Sequence, residues 1–197
     1  MLTTSAEGME LIKRFEGFSR TPYVCEGGKW TVGYGHTFDF DPVKQKDFIV
    51  SKAQAIEFLK SDLRRFENTV KNSVKVQLNQ NQFNALVSLA YNIGTYAFAT
   101  STLVKELNHG NLKNASNQFL VWTNSKGEVL NGLIERRIKE RELFLKDNNN
   151  AESAGEKTGQ RVKEEKRMEP KKERCLQILS FAKDWVDTIY SKIFKKR

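Results

Sequence analysis

A chain of 197 residues can bury one substantial core, or two small lobes sharing a helix, with a tail to spare. Its hydrophobic fraction of 39% suits a soluble globular fold, and no apolar run reaches the roughly twenty residues a membrane-spanning helix needs. The balance of 33 Lys and Arg against 24 Asp and Glu, a net charge of +9, favours a polyanionic partner, and charge alone does not choose among cell wall, lipopolysaccharide, anionic membrane and nucleic acid. Cys25 and Cys175 stand far apart, unlike the dense even pattern of a disulfide scaffold, so a reducing compartment is expected. The opening MLTTSAEGMELIKRF has no basic stretch followed by a long apolar one; no signal peptide and a cytoplasmic location are therefore expected.

In chain order, the spacing of Met9, Leu11, Ile12 and Phe15 predicts a helix over about 5–14, with Glu16 just past its last turn. From Phe18 to Asp41 glycines, prolines and short alternating runs predict a small antiparallel sheet with tight turns. There Thr31 and Gly33 share one face, and Trp30, Val32 and Tyr34 the other. Ser51 and Gln54 form a capping box opening a long helix to about Val70, whose stripe runs through Ala55, Phe58, Leu59, Leu63 and Phe66. Further helices are predicted over 80–92, 102–108, 111–122 and 133–146, separated by Gly or Asn breaks. This is an α+β pattern, a small sheet lobe and a larger helical lobe joined by the long helix, with a cleft between.

Residues 1–147 are thus expected to form the folded domain, 148–174 a polar, disordered linker, and 175–197 an amphipathic helix. Residues 151–197 carry 13 Lys and Arg against 8 Asp and Glu, so much of the positive excess lies in the tail.

The segment RFEGFSRTPYVCEGGKWTVGYGHT, residues 14–37, holds Glu16, Cys25 and Thr31 at intervals of eight and five intervening residues. It resembles the phage-type lysozyme (endolysin) family, the glycoside hydrolase family 24 muramidases of T4 and lambdoid type, whose pattern sets Glu, then Asp or Cys, then Thr at this spacing. The likeness continues through NQFNALVSLAYNIG, STLVKELNHG, Trp122 and GLIERRIKERELF, to about Lys146. It implies a lysozyme-like fold and hydrolysis of the β-1,4 bond between N-acetylmuramic acid and N-acetylglucosamine in bacterial peptidoglycan. It also implies a cytoplasmic product that reaches the wall by holin-dependent release, a monomer needing no cofactor, and no nucleic-acid partner.

By the same resemblance Glu16 is the general acid. Such a group must keep its proton near neutral pH, which apolar neighbours favour; Phe15 and Phe18 are at hand. Cys25 stands where many relatives have Asp, and as a base its thiol needs a neighbouring cation such as Lys29 or Arg20, or a dipole, to ionise. Thr31 would position water or the second catalytic group. With room for water between the two sides the reaction inverts configuration. Glu26, Asp39 and Asp41 are reserve bases, Glu26 the weakest.

His36 resembles a structural histidine paired with an acid such as Asp62, and with His109 the only other one and no clustered Cys there is no zinc site. Arg136 or Arg137 could reach the cleft and orient Glu16 or bind sugar; the alternative is helix-face solvation with ion pairs to Glu135 and Glu140. Asn92 and Trp122, with Gln82 and Asn84, are candidate sugar contacts or packing residues. Two other functions stay open: membrane disruption through the basic tail, which also suits anionic membrane or lipopolysaccharide, and non-catalytic wall binding.

Overall fold

In a computed structural model of the chain, the description covers residues 1–146 apart from 26, 43, 46 and 126. The reserve base Glu26, Cys175, and the predicted linker and tail helix over 148–197 lie outside the described residues.

The first helix, α1 (Ala6–Glu16), starts at Ser5, whose hydroxyl accepts from the Gly8 amide at 3.4 Å. It runs two residues further than periodicity suggests, so Glu16 is its last residue rather than a loop residue beyond it. Three antiparallel strands follow in the order β1 (Ser19–Val24), β2 (Trp30–Gly33) and β3 (His36–Thr37). Tyr23 lies opposite Thr31 and Val24 opposite Trp30. Both faces of β2 are covered, with Thr31 3% and Val32 0% exposed, so its alternation separates two packed sides rather than core from solvent. One side lies on the next helix: a Cβ added at Gly33 would meet the Ala55 Cβ at 2.9 Å, an approach only glycine permits.

The connection after β3 is stapled by rings, with Trp30 and Phe40 centroids 4.8 Å apart and Phe38 and Phe48 5.2 Å apart. It leads into α2 (Lys52–Ser73), opened by the expected capping box of Ser51 and Gln54. Its buried stripe of Ala55, Leu59, Leu63, Phe66 and Val70 faces the sheet at one end and the helices at the other.

The helical part is built on α3 (Gln80–Ile93), in which every residue from Phe83 to Ala90 is buried. Around it lie α4 (Thr95–Thr100), α5 (Thr102–Asn108), α6 (Leu112–Gln118) and α7 (Asn131–Leu145). The helix expected over 111–122 breaks at Phe119, where a single 3₁₀ turn over Phe119–Val121 sinks the Phe119 ring against Phe144 at 5.4 Å. A hairpin of β4 (Asn124–Ser125) and β5 (Glu128–Val129), unforeseen in sequence, precedes α7. Residues Met1–Asn148 make up one compact unit with a single connected core.

Candidate active site

Glu16 closes α1 at the wall of a cleft of about 400 Å³, together with Gly35 from the turn between β2 and β3, Thr37 from β3, Asp62 and Arg65 from α2, and Tyr91 and Asn92 from α3. Its side chain is 21% exposed, and its Oε1 accepts a hydrogen bond from Arg136 Nη1 at 2.7 Å. Gly35, with φ +94°, lets the backbone pass close beneath: a Cβ there would lie 3.6 Å from Glu16 Oε2 and 3.1 Å from the Tyr91 hydroxyl. One carboxyl oxygen is therefore held by the arginine, and the other borders the glycine-lined wall. Phe15 and Phe18, expected to surround Glu16, have other partners: Arg136 lies over the Phe15 ring at 5.7 Å, and Phe18 packs on Tyr34 at 5.5 Å.

Behind Glu16 runs a line of alternating charges. Arg136, 3% exposed, also donates through Nε to Glu140 Oε1 at 3.1 Å and through Nη2 to the Ser88 carbonyl at 3.2 Å. Glu140 is fully buried and further accepts from the Ser88 hydroxyl at 2.6 Å and from Arg137 Nη1. Arg137, fully buried too, reaches Asn92 Oδ1 with its Nη2. Burial pulls the Arg137 guanidinium down to about 10 against the opposing pull of Glu140, so it stays charged at neutral pH. Of the two readings left open for these arginines, the solvated face does not describe Arg136 and Arg137, though the expected pairing with Glu140 is present. Glu135 does form an exposed pair, with Arg14 at 2.6 Å, whereas Arg136, Arg137 and Glu140 turn inward, because Ser88 and Asn92 on α3 meet their polar groups. Arg136 reaches Glu16 at the cleft wall from the buried side, and Arg137 shares Glu140 with it.

Cys25 and Thr31 sit at the turn joining β1 to β2. The Cys25 amide donates to the Lys29 carbonyl at 2.9 Å, and the Thr31 hydroxyl donates to the same carbonyl at 3.1 Å. Hydrogen bonding with the Thr31 hydroxyl, followed by the Lys29 and Gly27 amides, holds the Cys25 thiol below its ordinary value, with a small opposing effect of burial. Lys29 acts here through its backbone, and neither its ammonium nor Arg20 is among the groups that lower the thiol. Tyr23, opposite Thr31, is 43% exposed; its phenol is pushed up by desolvation and then by the negative charges of Cys25 and Glu16. It therefore lies within electrostatic reach of both, a link that nothing in sequence signalled. Tyr91 is likewise pushed up by burial, then by Glu16 and Asp62, while its hydroxyl donates to the Tyr34 carbonyl at 2.9 Å.

The remaining candidates divide between cleft and core. His36 Nδ1 is 2.9 Å from Asp62 Oδ2, and its ring stacks on Phe58 at 4.6 Å, the position of a structural histidine. Asn92 is exposed at the cleft, whereas Trp122 packs half-buried on the core after the 3₁₀ turn. Gln82 caps α3 and Asn84 binds Ser5, both packing tasks. Asp39 is exposed, and Asp41 lies 3.3 Å from Lys44 Nζ. Among the described residues no group of three or more His, Cys, Asp or Glu could hold a metal ion.

Residues 13–140 match the family model described as phage lysozyme. The chain belongs to the phage lysozyme family. It is 42% identical over 144 residues to an endolysin of Acyrthosiphon pisum secondary endosymbiont phage 1, a match covering 71% of this chain and 96% of that one. A match of 42% identity over 147 residues to the endolysin of Bacillus phage B103 covers 73% of this chain but 54% of the relative. Among solved structures, the muramidase domain of SpmX from Asticaccaulis excentricus superposes with a TM-score of 0.68 at 37% identity, covering 75% of this chain and all (100%) of that one. This phage lysozyme therefore has the lysozyme-like α+β fold, with the Glu16 cleft beside its sheet.

Proposed function

We propose that this phage lysozyme hydrolyses the β-1,4 bond between N-acetylmuramic acid and N-acetylglucosamine in bacterial peptidoglycan, with Glu16 as general acid. The observation that carries this reading is the placement of the Glu16 carboxyl, with Oε1 held by Arg136 at 2.7 Å and Oε2 left beside Gly35 at the cleft. A proton carried on Oε2 is then aimed into the cleft while Arg136 fixes the plane of the group.

In the reaction Glu16 gives that proton to the glycosidic oxygen as its bond to the anomeric carbon breaks. Water adds to the anomeric carbon from the opposite face, and its proton passes to the Cys25 thiolate, leaving an inverted reducing end. Thr31 orients the thiol and, with it, the water. Solvent exchange then returns a proton to Glu16 and removes one from Cys25. The lowering of the thiol, to which Thr31 contributes most and the Lys29 and Gly27 amides next, supports the assignment of Cys25 as the base.

Glu16→Gln tests the reading. With the unfolding temperature of the wild type, this variant is expected to lose wall clearing by at least about a hundredfold, the low end of a general acid's contribution. A folded Glu16→Gln protein that clears walls as the wild type does overturns the assignment. The released ends separate hydrolysis, which leaves reducing sugars, from transglycosylation, which leaves 1,6-anhydro ends.

A further inference from the structure

One charged group at the cleft has no task in this chemistry. Glu16 is matched by Arg136 at 2.7 Å and Asp62 by His36 at 2.9 Å, but Arg65, one turn beyond Asp62 on α2, has no side-chain hydrogen bond or ion pair among the described residues. Its guanidinium lies over the Phe66 ring, 4.5 Å from the centroid. That platform is fixed, because Phe66 is 3% exposed and tilts against Tyr91 at 5.0 Å. Arg65 and Glu16 line the same cleft, together with Phe66 and Tyr91.

Stacking on an aromatic ring sets the plane of a guanidinium without using its N–H donors. A planar fork held this way suits a carboxylate, which it binds through two parallel hydrogen bonds. The glycan backbone of peptidoglycan is neutral at N-acetylglucosamine, whereas each muramic acid bears a lactyl-linked peptide with free carboxylates. We propose that Arg65 is a specificity-determining residue that binds a stem-peptide carboxylate of the substrate and so favours peptide-bearing strands whose carboxylates are free. The proposal rests on the lysozyme reading above.

The test uses the full chain on purified peptidoglycan freed of wall phosphate polymers, native or with its peptide carboxylates converted to amides, and follows reducing ends. The wild type is expected to prefer the native substrate by about threefold to tenfold in kcat/KM, carried by KM, as suits an exposed charge-assisted pair. Arg65→Gln is expected to bring that ratio close to one, Arg65→Lys to leave an intermediate ratio, and salt to erode the wild-type preference. A wild-type ratio of one, or an Arg65→Gln ratio equal to the wild type's, overturns the role of Arg65. An equal loss on both substrates does the same, since it marks a packing effect on the cleft. Failure of the wild type to release reducing ends from either substrate refutes the lysozyme reading itself and takes this inference with it.

Discussion

Replacing Glu140 by Gln probes the charge line that holds Glu16. Glu140 is fully buried and accepts from Arg136 Nε, from Arg137 Nη1 and from the Ser88 hydroxyl. A Gln oxygen can keep the Ser88 and Arg136 bonds, but its amide then points N–H donors at Arg137, itself fully buried. Breaking a buried ion pair on one side costs about 3–5 kcal/mol. Arg136 retains Glu16 at 2.7 Å, so the loss concentrates on Arg137, and the low end, about 3 kcal/mol, is expected. For a domain of this size that lowers Tm by roughly 10 °C, measurable by circular dichroism. Arg137→Met combined with Glu140→Gln removes one charge of each sign, and the pair should cost less than the sum of the single variants by about 1–3 kcal/mol. A Tm within about 2 °C of the wild type for Glu140→Gln, or strict additivity in the double variant, would refute the argument that these charges act as one buried unit.

The thiol assignment predicts that, in a Cys175→Ser background, alkylation of Cys25 by iodoacetamide rises with pH at a midpoint below that of an ordinary thiol, and that Thr31→Val moves the midpoint up. A midpoint indifferent to Thr31→Val, followed by mass spectrometry, would remove the hydroxyl as the cause. Gly35→Ala should lower both kcat and stability: at φ +94° a side chain is strained by about 1–3 kcal/mol, and the new methyl crowds the Tyr91 hydroxyl at 3.1 Å. Unchanged turnover and Tm in that variant would mean that the wall beside Glu16 is not tight.

The long helices were legible because their signals are local. Ser51 and Gln54 announce α2 three residues apart, and a 3.6-residue stripe of Ala55, Leu59, Leu63 and Phe66 follows at once. The spacing of Glu16, Cys25 and Thr31 was legible for a similar reason: all three lie within one helix end and one hairpin. What stayed hidden depends on tertiary fit. The break at Phe119 follows from burying its ring on Phe144, and the pattern of 111–122 alone reads as an unbroken helix.

The arginines show the limit most clearly. In the stretch from Glu135 to Glu142, successive charges look alike to any periodicity of polar and apolar residues, and local pairing rules place all of them on a solvated face. Arg136 and Arg137 differ only in what α3 and α1 put opposite them. The Ser88 carbonyl and the Glu16 carboxyl, 48 and 120 residues away in sequence, meet the Arg136 guanidinium at 3.2 and 2.7 Å. A charge can be buried only where such partners already wait, and the partners are fixed by helix packing rather than by the sequence around the charge. Choosing between the two arginines therefore required the fold. It follows that Glu16 is oriented by a residue distant in sequence, and that the geometry of its carboxyl depends on the packing of α7 against α3 as much as on the motif that contains it.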